Sequence, residues 1–255
     1  MCLITFNKQS SSKYPLILVA NRDESYLRES KPIHFWEDNP DILGGRDMKA
    51  GGTWLAITKT GRFAALTNQP FTQHEPIELT SRGALITNFL KSDIHAIDYA
   101  KELRENRMNY DGYNLVFGTV DDLYLYDNVI DEFKPFTDGT HSVSNTKDDL
   151  SKFRQSHSET NLERMTAEER PPSMDQLIES FQDRTPNPDF RDYPEQLNEA
   201  YAKQSSSIFI KGSQEFGTVS TTAIIIDDKG IVEMKEVRYS PEGEIQETTE
   251  TFDIS

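Results

Sequence analysis

The chain has 255 residues, 35 % of them hydrophobic and including 14 Phe and 10 Tyr, which is enough to bury a core. Its 43 acidic and 27 basic residues give a net charge of −16, which argues against nucleic acids and anionic membrane surfaces as partners. The single cysteine excludes intrachain disulfides and metal sites built from several cysteines, so no metal is expected.

No apolar run approaches the ~18 residues that a membrane span needs, and the N-terminus lacks the basic and apolar regions of a secretory signal. We therefore expect a cytoplasmic protein without stable membrane insertion. No internal repeat, linker or low-complexity tract divides the sequence, which favours a single domain over residues 1–255. No pattern in the sequence predicts an oligomeric state.

The first two residues, Met1-Cys2, suggest a reactive site because Cys2 is the only cysteine. Processing normally removes Met1 when the next side chain is small, which would leave a thiol and a free α-amine on one carbon. A thiol titrates near roughly 8.5 and an α-amine near roughly 7.7–8.0, so the amine can accept the proton of its own side-chain nucleophile. The commoner role of a lone cysteine is that of a small buried hydrophobic residue.

Two apolar runs separated by a polar turn predict a hairpin with strands over 2–7 and 15–22. The second strand runs into the polar tetrapeptide Asn21-Arg22-Asp23-Glu24. In an antiparallel hairpin the end of the second strand lies beside the start of the first, so these side chains are expected next to Cys2. Arg22 would lower the pKa of the thiol, and a carboxylate would hold the α-ammonium group.

Further along the chain, residues 25–45 are predicted to form a loop because prolines interrupt them. Residues 53–59 and 62–68 predict a second hairpin, which ends at Asn68. An asparagine at a strand end can donate an amide N–H to a developing oxyanion, although it can equally be a turn former.

The remaining elements are predicted from hydrophobic spacing and from turn residues. Helices are expected over 81–90, 93–104 with Ser92 as the N-cap, 148–157 and 173–181. Strands are expected over 113–119, 123–127, 140–145, 205–211, 215–227, 230–239 and 245–252. Mobile surface segments are expected over 158–172 and 182–194. Because tight turns rather than helices join the strands, the prediction is an α+β fold with two antiparallel sheets face to face and helices outside.

Several motifs, spread in order over most of the chain, together resemble the NRDE family, which includes the eukaryotic transport and Golgi organisation proteins. They are Met1-Cys2-Leu3-Ile4, Ala20-Asn21-Arg22-Asp23-Glu24, Gly51-Gly52-Thr53-Trp54-Leu55, Ala64-Ala65-Leu66-Thr67-Asn68, Ser81-Arg82-Gly83, Ser144-Asn145, and Phe216-Gly217-Thr218 followed by Ser220-Thr221-Thr222. This family looks like a branch of the N-terminal nucleophile hydrolases, whose shared fold is a four-layer αββα sandwich.

The resemblance implies hydrolysis of a non-peptide C–N bond in a small amide through a thioester on Cys2, with no cofactor required. In related hydrolases with a cysteine nucleophile, an asparagine at the place of Asn68 contributes to the oxyanion hole, and one at the place of Asn145 faces the nucleophile. The expected catalytic residues are Cys2, Asn21, Arg22, Asp23, Glu24, Asn68 and Asn145. The expected substrate-binding residues are Gly52, Thr53, Trp54 and Arg82.

The resemblance also implies an alternative, a non-catalytic carrier of heme or a lipid-like ligand on the same scaffold, because eukaryotic relatives are associated with heme trafficking and lipid metabolism. Cys2 or one of the five histidines would then supply an axial ligand, although no Cys-x-x-Cys-His or paired-His motif is present. The expected partner is thus either a small-molecule substrate or a hydrophobic ligand.

Two features depart from the family pattern. Many members carry Arg at the place of Val219, so a cation that would bind a substrate carboxylate or carbonyl is missing. In the related bile-salt and penicillin hydrolases the early Arg and Asp are separated by two residues, whereas Arg22 and Asp23 are adjacent.

The adjacency matters because neighbouring residues of an extended strand point to opposite faces. Unless a bulge or bend turns one of them, Arg22 and Asp23 cannot both face Cys2. Either Asn21 with Asp23, or Arg22 with Glu24, is therefore the pair that faces the thiol, and the sequence leaves both options open.

Overall fold

A computed structural model describes residues 2–11, 13–70, 79–145, 149–167, 170–189, 198–243 and 245–254. The strands in these ranges are β1 (Cys2–Ser11), β2 (Tyr14–Ser25), β3 (Ser30–Trp36), β4 (Asn39–Asp47), β5 (Leu55–Thr58), β6 (Arg62–Asn68), β7 (Tyr113–Thr119), β8 (Leu123–Asp127), β9 (Glu132–Pro135), β10 (Gly139–Ser144), β11 (Phe216–Ile226), β12 (Ile231–Tyr239) and β13 (Ile245–Asp253). The α-helices are α1 (Gly83–Leu90), α2 (Ala96–Glu105), α3 (Asp149–Thr166), α4 (Met174–Ser180) and α5 (Glu199–Ser205), and a short 3-10 helix covers Arg107–Asn109.

The strands form two antiparallel sheets. The six-stranded sheet has the order β10-β1-β2-β11-β12-β13, and the seven-stranded sheet has the order β3-β4-β5-β6-β7-β8-β9. The N-terminal hairpin lies in the six-stranded sheet, whereas the predicted 53–59 and 62–68 strands lie in the seven-stranded sheet as β5 and β6. The tight turns between consecutive strands account for this antiparallel arrangement.

Each sheet is covered on both faces, which explains why β2 is apolar without alternation. One core lies between the sheets and contains, for example, Phe6 and Leu18 from one sheet and Phe63 from the other. A second core joins the outer face of the seven-stranded sheet to α1 and α2, and a third joins the outer face of the six-stranded sheet to α3 and α4. The expected four-layer αββα sandwich is therefore confirmed. Within the described ranges we find no helix with the length and apolar character needed to cross a membrane.

The predicted loop over 25–45 is wrong, because most of it forms the β3–β4 hairpin. Pro32 lies in β3, the edge strand of its sheet, where a residue without an N–H donor is tolerated. The indole Nε1 of the buried Trp36 donates to the carbonyl of Gly44 at 3.0 Å, which ties the two strands together. A proline therefore does not indicate a loop when it lies in the edge strand of a sheet.

The predicted end of the third helix is also wrong, because α3 continues to Thr166. The predicted mobile segment 158–172 is therefore wrong over 158–166, and residues 168–169 lie outside the described residues. Its inward face carries polar side chains such as Arg154 and Ser158, which are buried against the sheet. The Ser158 hydroxyl, for instance, lies 2.7 Å from the hydroxyl of Thr5 in β1. A helix that packs through polar contacts has no apolar stripe, so hydrophobic periodicity could not reveal it.

Two further predictions require correction. The expected strand over 205–211 is instead the end of α5 followed by a buried segment beside β11, joined to it by a hydrogen bond of 2.8 Å from the Thr218 N–H to the Ile210 carbonyl. A short apolar run cannot be assigned to a strand from its composition alone.

The helix α2 begins at Ala96 with His95 rather than Ser92 in the N-cap position. The predicted mobile segment 182–194 lies partly outside the described residues.

A buried polar network joins the two sheets near the end of β10. The amide nitrogen of Asn114 donates to the Thr67 hydroxyl at 3.1 Å and to the Ser144 carbonyl at 2.9 Å. Its Oδ1 accepts a hydrogen bond of 2.8 Å from the Gln69 amide, and the Thr67 hydroxyl donates to the same Ser144 carbonyl. The network therefore fixes the last residue of β10, immediately before Asn145, against the seven-stranded sheet.

Replacing Asn114 with Ala should lower the free energy of unfolding by about 2–3 kcal/mol, because it leaves buried polar partners without a hydrogen bond. Urea unfolding followed by circular dichroism measures this loss. The matched control is Asn109→Ala, whose side chain is exposed and which should change the free energy by less than about 0.5 kcal/mol. Equal, small effects of both substitutions would contradict the clamping role of Asn114.

Candidate active site

The Cys2 side chain lies at one end of the sandwich, where several strand ends meet. Cys2 is the first residue of β1 and pairs with Arg22 near the end of β2. It is 8 % exposed and borders a cavity of about 820 Å³. The other lining residues are Arg22, Glu24, Arg28, Asp47, Lys49, Ala50, Gly52, Thr53, Trp54, Leu66, Asn68, Leu79, Thr80, Ser81, Arg82, Gly83 and Asp111.

The main-chain nitrogen of Cys2 donates a hydrogen bond of 2.6 Å to Oδ1 of Asn145, which is 4 % exposed. Because β10 pairs with β1, with Ser144 opposite Leu3, the residue after β10 arrives beside the start of β1. The amide of Asn145 therefore presents its oxygen to this nitrogen. The resemblance implied only that an asparagine at this place faces Cys2, and this geometry suits a residue that holds the Cys2 nitrogen.

The tetrapeptide after β2's apolar run is divided between two faces of the sheet, and the structure resolves the choice that the sequence left open. Arg22 and Glu24 line the cavity with Cys2, whereas Asn21 and Asp23 point toward the outer helical layer. Asn21 is engaged there by the carbonyls of Phe181 and Ile208, to which it donates at 2.9 and 3.0 Å. The structure thus brings Arg22 and Glu24, but not the side chain of Asn21, to the thiol's side of the sheet.

Arg22 is held in place by neighbours from three other segments. Its guanidinium carbon lies 4.0 Å from the centre of the Trp54 ring, and Nη1 donates to the Ser30 hydroxyl at 3.1 Å. Its Nη2 lies 3.6 Å from Oδ2 of Asp47. Burial lowers the pKa of Arg22, while the nearby Cys2 and carboxylates oppose that shift. Arg22 is therefore a fixed cation beside the thiol rather than a mobile surface side chain.

Asp23 is engaged by Thr218, which the sequence analysis named only as part of a motif, and by Arg154, which it did not identify. Its Oδ1 accepts a hydrogen bond of 2.6 Å from the Thr218 hydroxyl, and its Oδ2 lies 2.7 Å from Nη2 of Arg154. The pairing of β11 with β2 shifts register between Thr218 and Ser220, opposite Asp23 and Arg22. The irregularity thus lies in the partner strand β11, and both side chains keep the alternation expected of β2.

The expected substrate-binding residues all border the same cavity as Cys2. Gly52 packs so closely on Gly83 that an added Cβ would lie 2.7 Å from its carbonyl carbon, which explains the need for glycine here. The Thr53 hydroxyl donates to the Leu55 carbonyl at 3.1 Å and so supports the backbone. Arg82 donates to the Gly112 carbonyl at 2.8 Å, and burial lowers its pKa.

The groups around the Cys2 thiol shift its pKa in opposite directions. Burial raises the pKa of Cys2, and the Asp23 carboxylate acts in the same direction. A hydrogen bond from the Asp23 backbone and the charge of Arg22 lower it. Asn68, at the end of β6 in the other sheet, lines the same cavity. The described residues therefore place a thiol, several cations and the Asn68 amide around one opening.

Comparisons with known proteins show which family and fold the chain resembles. The family model described as Transport and Golgi organisation 2 matches residues 1–241. The Transport and Golgi organization 2 homolog of Mus musculus is 39 % identical over 158 residues, which cover 57 % of this chain and 57 % of the relative. The homolog from Homo sapiens is also 39 % identical over 158 residues, with the same coverage. The matched chain thus spans little more than half the length of these curated relatives.

Among solved structures, the Caenorhabditis elegans N-acylethanolamine-hydrolyzing acid amidase ortholog superposes with a TM-score of 0.52 at 8 % sequence identity. The superposition covers 88 % of this chain and 92 % of that chain. At this identity the likeness shows the fold alone, which is the four-layer αββα sandwich.

The burial of Cys2 predicts how its alkylation by iodoacetamide should depend on pH. In folded protein that retains Met1, the half-maximal rate should lie above the roughly 8.5 of a free thiol, because burial raises the pKa and only the thiolate reacts. Removal of Met1 should move the profile to lower pH, because an α-ammonium group then stands on the same carbon. Since Cys2 is the only cysteine, intact-mass kinetics report this thiol alone.

Urea-denatured protein is the control for that measurement, since it gives the profile of an unburied thiol. If the folded, Met1-containing protein has a half-maximal rate at or below the denatured value, the described burial of Cys2 does not control its reactivity.

Proposed function

The chain belongs to the Transport and Golgi organisation 2 family, and we propose that it is an N-terminal cysteine hydrolase-like protein that cleaves the C–N bond of a small-molecule amide. The observation that carries the proposal is the hydrogen bond of 2.6 Å from the main-chain nitrogen of Cys2 to Asn145 Oδ1. This bond holds the main-chain nitrogen of Cys2, which would become the base once Met1 is removed. The same residue lines the cavity. A solved protein of the same fold is named as an amidase, which is in keeping with this class of reaction.

The proposed reaction begins with the removal of Met1, which converts the Cys2 nitrogen into an amine. The amine takes the thiol proton, and the sulfur attacks the amide carbonyl carbon, so that a C–S bond forms and negative charge develops on the oxygen. Collapse of this intermediate breaks the C–N bond, and the ammonium returns the proton to the departing amine. Water, deprotonated by the same amine, then attacks the thioester and releases the acid and the free thiol.

Each neighbouring residue has a separate proposed task in this reaction. Asn145 holds the α-amine through its Oδ1 and so orients the base. Asn68, which borders the cavity from the other sheet, donates an amide N–H to the developing oxyanion. Arg22 stabilises the thiolate by its charge, and Glu24 lies on the same side of the sheet. Gly52, Thr53, Trp54 and Arg82 form the proposed substrate-binding wall.

The test is a screen of small amides against Met1-free protein, with released amine measured and the protein analysed by intact mass. We expect an acyl adduct on Cys2 and turnover in wild type. Cys2→Ser should react much more slowly because a hydroxyl is a poorer nucleophile at neutral pH, and Cys2→Ala should not react. Asn109→Ala, changed at an exposed side chain, should keep the wild-type rate. Absence of adduct and product, with Cys2→Ala indistinguishable from wild type, would refute the hydrolase.

The carrier of heme or a lipid-like ligand remains the second proposal, and the site restricts its form. The described histidines, His34, His95, His141 and His157, do not line the cavity that holds Cys2. Among Cys2 and the described histidines, Cys2 alone lines this cavity, so its thiolate is the axial ligand that we propose for heme. Heme titration followed by the Soret band discriminates between the proposals, since a stoichiometric complex that Cys2→Ala abolishes, without any amide turnover, favours the carrier.

A further inference from the structure

A buried ion pair between Arg154 of α3 and Asp23 of β2 joins the outer helical layer to the N-terminal hairpin. Nη2 of Arg154 lies 2.7 Å from Oδ2 of Asp23, and the two side chains are only 2 % and 0 % exposed. The same Nη2 donates to the Ile208 carbonyl at 3.0 Å. Burying two charges costs desolvation energy that their attraction often fails to recover, so stability alone is a weak reason for such a pair.

The position of the pair connects it to the nucleophile. Asp23 is also bound by the Thr218 hydroxyl at 2.6 Å, next to the register shift in β11, so it is held from both the helical layer and the neighbouring strand. Cys2 pairs with Arg22, the residue before Asp23, and the backbone of Asp23 provides a hydrogen bond to the thiol. Whatever fixes the Asp23 side chain therefore also fixes a donor to the sulfur.

We propose that Arg154 is a positioning residue that acts on Cys2 through Asp23. It fixes the Asp23 backbone N–H toward the sulfur and balances the negative charge of the carboxylate beside the thiol. The inference rests on the proposed function only in that Cys2 is taken as the nucleophile. Arg154 lies on α3, 131 residues from Asp23 in the chain.

Other charged groups also surround the thiol and must stay constant in any test. The charged side chains that line the cavity with Cys2 are Arg22, Glu24, Arg28, Asp47, Lys49, Arg82 and Asp111. Burial has the largest effect on the pKa of Cys2 and raises it, whereas the N-terminal ammonium group and Arg22 lower it. Variants confined to Arg154 and Asp23 leave all these groups in place, so a change in thiol reactivity reports the buried pair.

The experiment measures the alkylation rate of Cys2 by iodoacetamide across a pH series in folded protein. Arg154→Met leaves the Asp23 carboxylate unbalanced, so the thiol pKa should rise and the rate at neutral pH should fall several-fold. Asp23→Asn leaves the guanidinium unbalanced, so the profile should move to lower pH. The double variant Asp23→Asn/Arg154→Met should lie between the two single variants.

The two single variants are expected to shift the alkylation profile in opposite directions. A merely structural role of the ion pair would instead loosen the site, and so shift the profile, in the same way for both substitutions. Arg62→Met is the matched control, because Arg62 also donates to two main-chain carbonyls, of Phe89 and Ile94, at 2.9 Å each. It should lower stability and leave the alkylation profile unchanged.

Profiles that coincide with wild type, or that shift in the same direction for both single variants, would overturn the proposal. Should Arg154→Met fail to fold, Asp23→Asn is compared with the double variant, and equal profiles would overturn it in the same way. Amide turnover is measured separately on each variant. Opposite alkylation shifts without any turnover would uphold the positioning role of Arg154 and reject the proposed hydrolysis.

Discussion

The hydrogen bond between the Cys2 nitrogen and Asn145 Oδ1 is the contact on which the site depends, because it joins the first residue of β1 to the residue after β10. It forms only if β10 lies antiparallel to β1 with Ser144 opposite Leu3. The end of β10 is held in turn by Asn114 from the other sheet. The position of Cys2 therefore depends on both sheets of the sandwich, and not only on the hairpin that contains it.

Because side chains alternate along β2, the tetrapeptide Asn21-Arg22-Asp23-Glu24 faces two different environments. Arg22 faces the cavity and stacks on Trp54, so its charge reaches the thiol directly. Asn21 and Asp23 face the helical layer, where Asn21 binds two main-chain carbonyls and Asp23 binds Arg154. Residues 21–24 of β2 thereby contact both the cavity and the outer helices, because successive side chains of a strand point to opposite faces of the sheet.

Much of this arrangement is predictable from the sequence because it follows from local rules. The hairpin rule brings Arg22 beside Cys2, and tight turns between apolar runs predict antiparallel sheets. The β3–β4 hairpin was missed because Pro32 is harmless at a sheet edge, a position that depends on the complete sheet order. The Asp23–Arg154 pair could not be found because no local pattern in one sequence reveals a contact between a strand and a helix so far along the chain.

The physical chemistry of the Cys2 nitrogen links these observations to the proposed function. As a peptide nitrogen it can only donate to Asn145, whereas as an amine it can also accept a proton from the adjacent thiol. The most direct measurement compares single-turnover acylation by an activated small amide, followed by intact mass, in Met1-free protein and in protein with an N-terminal extension that cannot be trimmed. We expect a burst of acyl-Cys2 only in the Met1-free protein, with both forms equally folded. Equal acylation of the two forms would contradict the role of the amine as the base.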